Sequence, residues 1–340
     1  MVLERIGPMS PDSDPLVARR WPIPSPGPEE VLIRVQACAV CHTELDEIEG
    51  RVEARVPVIP GHQIVGEVAK LGAEVESPAI GTRVGVGWIF SACGRCDYCL
   101  NDLENLCPQF HGTGCHTHGG YAEWMCAPAR FVHPVPDKLS SISAAPLLCG
   151  GAIGLRSLRL ASLDNGQVLG LTGFGGSNHQ VLRLARALYP DSEVMVWARD
   201  ANQREQALAT GAAWAGPTEA APPAAPMAII DTTPVWTTVL KALEFLAPGG
   251  RLVVNAISKE DSDRDALATL DYARQLWREK SIRSVANVTR RDISDMLALA
   301  ARHGLLPETR SMPLTKANEA LRQLRFGPIR GATVLEVREF

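Results

Sequence analysis

Four cysteines lie close together in the first third of the chain, at Cys93, Cys96, Cys99 and Cys107. Short spacers allow the first three sulfurs to turn toward a common centre, and the longer arm before Cys107 can bring the fourth from the opposite side. Four thiolates arranged in this way are typical of a structural zinc site, which has no open coordination position. The alternatives are a disulfide pair or four buried thiols, and such dense clustering disfavours both. The spacing predicts a closed zinc lobe at about residues 90–110.

Three further candidate metal ligands, Cys41, His62 and Cys149, are scattered along the chain. Each has an ordinary explanation when it is considered alone. A single cysteine is often a small buried apolar residue, and a single histidine is more often hydrogen-bonded than metal-bound. The residues by themselves therefore leave both interpretations open.

A glycine-rich turn follows a predicted strand at 168–171 and precedes a predicted helix at 180–188. This context is the one that the dinucleotide-binding fingerprint requires. Gly173 permits a tight turn, Gly175 allows the backbone to approach a pyrophosphate, and the first amides of the helix can bind phosphate oxygens. Asn178 occupies the place of the usual third glycine. The candidate cofactor-binding residues of the turn are Gly173, Gly175, Gly176, Ser177 and Asn178.

The elements that must position these residues change type along the chain. Up to about Leu148, short β-branched runs such as 31–35 and 64–68 alternate with glycine- and proline-rich turns, which indicates a β-rich domain. From about Gly166, apolar strands alternate with helical segments, and this alternation predicts a parallel sheet. The predicted segments are strands at 194–197 and 251–254 and helices at 202–210 and 237–246. A helix at 292–303 and a strand at 332–337 follow in the tail.

Length and charge exclude several classes of function. A chain of 340 residues predicts two domains, and a formal net charge of −4 with no long run of like charges argues against nucleic acid and anionic membranes as partners. The N-terminus has no secretory pattern and no stretch has transmembrane length. Nine cysteines in such a chain suit a reducing compartment, so we expect a cytoplasmic protein with a small-molecule substrate.

Taken together, the motifs resemble the zinc-dependent medium-chain dehydrogenase/reductase family of the alcohol dehydrogenase type, close to its cinnamyl alcohol dehydrogenase branch. The resemblance covers nearly the whole chain in family order. Its motifs are Cys41-His42-Thr43-Glu44, Gly61-His62, the four-cysteine lobe, His118-Gly119-Gly120-Tyr121-Ala122-Glu123, the run 144–151 and the glycine turn.

The resemblance implies an α/β fold with two domains. A GroES-like β-rich catalytic domain would occupy residues 1–150, and a Rossmann domain with a doubly wound parallel sheet would bind the cofactor at residues 151–286. Residues 287–340 would return to the catalytic domain. Family members also suggest a homo-oligomer, either a dimer or a tetramer.

The resemblance also assigns roles. Cys41, His62 and Cys149 become ligands of a catalytic zinc with one open position, so each chain would hold two zinc ions. Thr43 takes the position of the proton relay, and Glu44 takes that of an acid bonded to the ligand histidine. The remaining implied roles are His42 against the pyrophosphate, and Trp88 with its neighbour Ile89 at the wall of the substrate pocket.

Two positions near these ligands depart from the family pattern. Gln63 replaces a glutamate that many relatives carry beside the zinc, so we expect it to tune the site. Asp46 replaces the last histidine of the proton relay, and proton exit is then expected through Asp46 or another route. The segment with Cys115, His116 and His118 suggests a third metal only weakly, because the spacing is tight.

Cofactor choice depends on the end of the strand at 194–197. An acidic side chain there would bind the ribose hydroxyls of NAD and repel the 2′-phosphate of NADP. The sequence has Ala198 followed by Arg199, which favours NADP over NAD. Asp200 is the competing feature, because a shift in the alignment would restore an acid at this place.

The predicted function is the transfer of a hydride between a primary alcohol or aldehyde, alkyl or aryl, and a nicotinamide cofactor. One alternative is a noncatalytic cofactor-binding or scaffold protein with the same fold, which Gln63, Asp46 and Asn178 would support. A zinc-ribbon nucleic-acid module fits the four cysteines but neither the charge nor the alternating second half.

Overall fold

The computed structural model describes residues 1–327 and 331–337, so residues 328–330 and 338–340 of the predicted return segment lie outside the described residues. The strands are β1 Val2–Leu3, β2 Leu16–Val17, β3 Glu30–Ala39, β4 Ile64–Leu71, β5 Arg83–Val86, β6 Ile89–Ser91, β7 His111–Gly112, β8 Trp124–Pro128, β9 Val132–Pro134, β10 Leu169–Thr172, β11 Val194–Trp197, β12 Trp214–Gly216, β13 Ala228–Asp231, β14 Arg251–Val254, β15 Ser281–Ser284, β16 Thr309–Pro313 and β17 Ala332–Glu336. The α-helices are α1 His42–Ile48, α2 Asp97–Leu100, α3 Ser141–Ala144, α4 Gly150–Ala161, α5 Gly176–Leu188, α6 Ala201–Thr210, α7 Trp236–Phe245, α8 Tyr272–Gln275, α9 Arg290–His303 and α10 Ala317–Phe326.

The chain divides into two compact units. The first comprises Met1–Ala152 together with Asn287–Phe340, and the second comprises Ile153–Ala286. Within the described residues, no single helix is long and apolar enough to cross a membrane, although the bent pair Ser141–Leu148 and Gly150–Ala161 reaches that length and composition jointly.

The first unit is built around a seven-stranded sheet. Its order is β16-β17-β3-β4-β5-β9, and β8 pairs with β3 outside this path. The pairings are antiparallel except that between β16 and β17. The predicted runs 31–35 and 64–68 lie inside β3 and β4, and their branched side chains, such as Ile33 and Ile64, are fully buried in the core. The predicted β-rich domain is confirmed.

The second unit contains a six-stranded parallel sheet of order β12-β11-β10-β13-β14-β15. This is the strand order of a doubly wound dinucleotide-binding sheet, so the predicted Rossmann fold is confirmed. Every residue of β10, β11 and β13 is buried, because helices cover both faces of such a sheet. The chain reverses its direction of winding between β10 and β13.

Helix ends follow local capping chemistry. The helix predicted at 180–188 begins at Gly176, because the glycine turn itself forms its first residues. Helix α6 begins after Asp200, whose side chain accepts a hydrogen bond from the Asn202 amide, and it ends at Gly211 in the left-handed conformation. Helix α9 begins at Arg290, before the predicted position, because Thr289 and Asp292 form a capping box.

Candidate metal centres and nucleotide turn

Three separate elements of the first unit bring Cys41, His62 and Cys149 together. Cys41 is the N-cap of α1, His62 lies just before β4, and Cys149 immediately precedes α4. One ligand atom from each lies within 4.8 Å of the others, and the two sulfurs are 4.0 Å apart. Two sulfurs bound tetrahedrally to zinc at about 2.3 Å are about 3.8 Å apart. The spacing of the sulfurs therefore suits a shared zinc ion.

The imidazole of His62 is held in place by a buried carboxylate. Nδ1 of His62 is 2.7 Å from Oε1 of Glu44, and neither side chain is more than 1% exposed. Oε2 of Glu44 accepts a hydrogen bond of 2.7 Å from the Cys41 amide. A carboxylate at Nδ1 leaves Nε2 free to bind a metal, which is the usual arrangement around metal-binding histidines. The predicted contact between Glu44 and His62 is confirmed.

The electrostatics of the cluster also fit a cation. Burial alone would lower the pKa of His62, but the Glu44 carboxylate and the Cys41 sulfur outweigh it and raise this pKa well above its usual value. The hydrogen bond with Cys149 lowers the pKa of the Cys41 thiol well below its usual value and raises that of Cys149. Nε2 of His62 is buried without a hydrogen-bond partner among the described residues. Metal binding would replace the protons that these groups otherwise share.

Close packing surrounds the histidine. Gly61 has a φ of +97°, and a Cβ there would come within 2.5 Å of the Tyr121 ring, so only glycine fits before His62. The ring of Trp88 packs edge-to-face against the imidazole, with centroids 5.1 Å apart. Trp88 is 8% exposed and Ile89 is 3% exposed, and both belong to the core of the first unit.

Other predicted residues of this region lie on α1. Thr43 is buried, and its hydroxyl is 3.6 Å from the Cys41 sulfur. Asp46 is also buried and forms an ion pair of 2.5 Å with Arg51. His42, the first residue of the helix, is exposed. Thr43 and Asp46 are three positions apart and so share one face of the helix.

The four-cysteine lobe forms a second ligand cluster. One sulfur from each of Cys93, Cys96, Cys99 and Cys107 lies within 4.8 Å of the others. Backbone amides also point at these sulfurs. The Cys96 amide donates to Cys93 at 3.3 Å, and the Gln109 amide donates to Cys107 at 3.4 Å. Such bonds stabilise thiolates and orient them toward a metal.

Cys115, His116 and His118 each have local partners. The Cys115 thiol donates to the Glu53 carbonyl at 3.4 Å. Nδ1 of His116 accepts from the Gly112 amide at 2.8 Å, and Nδ1 of His118 accepts from the Ile59 amide at 3.2 Å. In the described part of the chain, these residues do not form a ligand cluster with one another.

The glycine turn connects β10 to α5 in the second unit. Gly173 has a φ of +75°, and a Cβ there would come within 3.0 Å of Thr233. A Cβ at Gly175 or Gly176 would meet nothing within 4 Å, so the backbone at the start of α5 is open to a ligand. Ser177 lies in the first turn of the helix and is partly buried. The geometry fits phosphate binding at a helix N-terminus.

Asn178 is fully buried beneath this turn. Its side-chain amide donates to the Thr172 carbonyl at 3.0 Å, the Gly173 carbonyl at 2.7 Å and the Thr232 hydroxyl at 3.0 Å. Asn178 thus holds the turn from inside rather than presenting a group to the surface.

The end of β11 carries basic side chains. Arg199 is exposed, and the guanidinium of Arg204 donates to the carbonyls of Ala198 at 2.8 Å and Arg199 at 2.7 Å. Asp200 is engaged as the N-cap of α6. Its carboxylate is therefore already used by the helix.

Sequence reasoning missed two buried groups beside the first cluster and one basic residue. Glu47 and the Tyr121 hydroxyl are buried without hydrogen-bond partners among the described residues, and burial raises the pKa of both. Arg204 lies in the first turn of α6, five residues after Arg199. The spacing of α6 could have identified Arg204, whereas nothing in the sequence around Glu47 distinguishes it.

Comparison with known proteins places these features in context. Residues 27–137 match the alcohol dehydrogenase GroES-like domain. The chain is 42% identical over 339 residues to a probable alcohol dehydrogenase, AdhA, of Mycobacterium tuberculosis (strain CDC 1551 / Oshkosh). The matched region covers 98% of this chain and 95% of that protein. A solved cinnamyl alcohol dehydrogenase from Sorghum bicolor is similar, with 28% identity and a TM-score of 0.80 over 93% of this chain and 92% of that chain. A solved NAD-dependent alcohol dehydrogenase shares 26% identity and a TM-score of 0.86, over 99% of both chains.

Proposed function

Because the chain belongs to the zinc-dependent alcohol dehydrogenases of the medium-chain dehydrogenase/reductase family, we propose that Cys41, His62 and Cys149 hold the zinc ion at which it interconverts an alcohol and an aldehyde. The observation that supports this assignment best is the convergence of the three ligand atoms around an unpartnered Nε2 of His62. The four-cysteine lobe would hold a second, structural zinc ion. When the zinc ion at Cys41, His62 and Cys149 and the nicotinamide cofactor are both bound, zinc would act as a Lewis acid for the substrate oxygen, and the nicotinamide would accept or donate the hydride.

In this proposal, residues of α1 transfer the proton of the substrate hydroxyl away from the zinc site. The Thr43 hydroxyl, 3.6 Å from the Cys41 sulfur, accepts the proton of the substrate hydroxyl and donates its own onward. Asp46 lies on the same helix face, and its ion pair with Arg51 orients its carboxylate as the next acceptor. Glu44 does not take part in proton transfer, because its two oxygens already face the Cys41 amide and His62.

The substrate class follows from the aromatic side chain beside the histidine. Trp88 contributes a flat apolar surface next to His62, and such a surface suits primary alcohols or aldehydes with alkyl or aryl groups. A charged substrate would lose hydration against this surface without gaining a partner. Ile89 belongs to the same hydrophobic core cluster as Trp88.

We propose NADP as the preferred cofactor. Ala198 offers no carboxylate to repel a 2′-phosphate, and Arg199 is exposed beside it. Arg204 brings a second positive charge to the same strand end, and Asp200 is occupied as a helix cap. A guanidinium can pair with phosphate through two parallel hydrogen bonds.

We also propose a homo-oligomer in the cytoplasm. All four residues of the edge strand β15 are exposed, and Ile282 within it is 47% exposed. Trp277 nearby in the sequence is 65% exposed. An unpaired edge strand near exposed apolar side chains offers a surface on which another chain can pair. All nine cysteines are unpaired, which suits a reducing compartment.

The test is a panel of primary alcohols and aldehydes with NADP(H) and NAD(H), followed by the absorbance of reduced nicotinamide. Wild type should turn over alkyl or aryl members, and Cys149→Ala should lose one of two zinc ions and nearly all activity. Cys126→Ala is the matched control, because Cys126 lies on β8 outside both clusters. Wild type that holds zinc and cofactor but turns over no member would contradict the proposal. No observation favours the noncatalytic alternative.

A further inference from the structure

Asp231, the last residue of β13, is a fully buried carboxylate in the second unit. Oδ1 accepts hydrogen bonds from the hydroxyls of Thr172 at 2.5 Å and Thr233 at 2.8 Å, whereas the Thr238 hydroxyl lies nearer the Val235 carbonyl, at 2.9 Å, than Oδ1, at 3.3 Å. A single carboxylate oxygen thus orients two hydroxyl groups where β10 and β13 end. This is the place where the sheet reverses its winding and where doubly wound folds bind ligands.

Lys259 balances this carboxylate. Its ammonium group is 2.5 Å from Oδ2 of Asp231, and its side chain is 8% exposed. The same ammonium donates to the carbonyls of Thr233 at 2.7 Å and Val235 at 3.3 Å. All three of its donors are therefore used, and they fasten the segment after β14 to the segment after β13.

The network reaches the nucleotide turn by two routes. Thr172 directly precedes Gly173. The Thr233 methyl group packs beside Gly173, because a Cβ built on that glycine would lie 3.0 Å from it. Asn178 connects the carbonyls of Thr172 and Gly173 to the Thr232 hydroxyl. The left-handed bend at Gly173 therefore rests on residues that Asp231 orients.

A buried ion pair seldom contributes much net stability, since desolvation of the two charges offsets their attraction. The better-supported effect of a buried ion pair is to fix one arrangement of the surrounding side chains among several. Without Lys259, Oδ2 of this buried carboxylate would lose its charged partner, and the carboxylate would be free to turn away from the hydroxyl groups of Thr172 and Thr233.

We propose that Lys259 is a positioning residue for nucleotide binding: through Asp231 it fixes Thr172 and Thr233 around Gly173, so that the turn is preformed for a dinucleotide pyrophosphate. This inference rests on the proposed function of the turn as the cofactor site. Lys259 does not touch the reacting atoms, and its effect is on affinity for the cofactor rather than on the chemical step.

The experiment compares Lys259→Met, Lys259→Arg and the control Lys241→Met in the zinc-loaded, full-length protein. Lys241 also forms two ion pairs in this unit, with Glu219 and Glu244, but it lies on α7 with 35% of its side chain exposed. The dissociation constants of NADPH and NADH are measured from nicotinamide fluorescence, and KM, kcat and the unfolding temperature are measured in parallel.

Lys259→Met should weaken binding of both nucleotides about tenfold, within the usual range of coupling through a network, while kcat at saturating cofactor stays within about twofold. Lys259→Arg should restore most of the affinity, and Lys241→Met should change none of these values. A lower unfolding temperature with an unchanged dissociation constant would overturn the proposal, because it would show a purely structural ion pair.

Thr233→Val keeps the inference testable if Lys259→Met does not fold. Valine keeps the methyl group against Gly173 but loses the hydroxyl that donates to Asp231. It should weaken nucleotide binding in the same direction, and unchanged affinity would count against the proposed network. If wild type itself binds neither nucleotide, the proposed cofactor site is wrong, and this outcome is distinct from a network that has no effect.

Discussion

Replacing Glu44 with glutamine should selectively weaken metal binding at the cluster of Cys41, His62 and Cys149. The carboxylate contacts two buried groups at once: it accepts a hydrogen bond of 2.7 Å from the Cys41 amide, and its other oxygen lies 2.7 Å from Nδ1 of His62. A glutamine side chain has only one acceptor oxygen, so one of the two donors would lose its partner and the imidazole would lose its charged neighbour. Losing a partner of a metal-binding histidine typically reduces metal affinity about 10–100-fold, which is about 1.4–2.7 kcal/mol.

The assay is competition with a chelator, followed by zinc content and residual activity. Glu44→Gln should lose one zinc ion at a chelator concentration that wild type withstands, and activity should fall in proportion to the zinc lost. The second zinc ion should remain, because Glu44 does not contact the four-cysteine lobe. Glu67→Gln is the matched control. Glu67 is 39% exposed and lies 3.7 Å from Arg34, so the two form a surface ion pair that contributes little. If Glu44→Gln holds both ions as tightly as wild type, the carboxylate does not orient His62 toward a metal.

Three more predictions test other parts of the molecule. Cys96→Ser should remove the lobe's zinc and lower the unfolding temperature by on the order of 10 °C, while the first cluster keeps its ion; metal analysis and calorimetry would detect this. Arg199→Ala should raise KM for NADP by about tenfold or more and leave KM for NAD unchanged, and equal effects on both would contradict a 2′-phosphate contact. Burial, helped by the charge of Arg290, lowers the pKa of His133 to about 4. The folded state then binds fewer protons than the unfolded state, so this histidine costs stability as pH falls from about 6.5 to about 4, by up to about 3 kcal/mol. His133→Asn should flatten the pH dependence of urea unfolding in that window, and a slope equal to that of wild type would refute the assignment.

Local patterns in the sequence predicted the elements with short-range signals. The spacing of the cysteines from Cys93 to Cys107 identified the lobe, because all four ligands lie within one short segment. The alternation of strands and helices from β10 onward identified the parallel sheet, because fully buried strands such as β10, β11 and β13 are continuous apolar runs. Helix ends were less accurate where a side-chain cap decided them, as at Thr289 before α9.

Long-range arrangements could not be derived from the residues alone. Cys41 and Cys149 are far apart in the chain, and only the resemblance to a family connected them with His62. The Asp231–Lys259 pair had no such guide, because an aspartate at a strand end and a lysine in a loop are both common. Whether such residues are in contact depends on the tertiary structure, and no local sequence periodicity indicates it.

Two of the three departures from the family pattern that would support a noncatalytic protein, Asp46 and Asn178, make contacts of their own in the structure. Asp46, in place of a histidine, remains buried and oriented by Arg51. Asn178, in place of a glycine, donates through its side-chain amide to the carbonyls of Thr172 and Gly173, while its Oδ1 is buried without a hydrogen-bond partner among the described residues. A glycine would allow close packing at this point, whereas asparagine adds a polar connection. The ion pair of Asp46 and the amide contacts of Asn178 give each substituted side chain a role in holding its site, which favours a working site with altered supports over a scaffold.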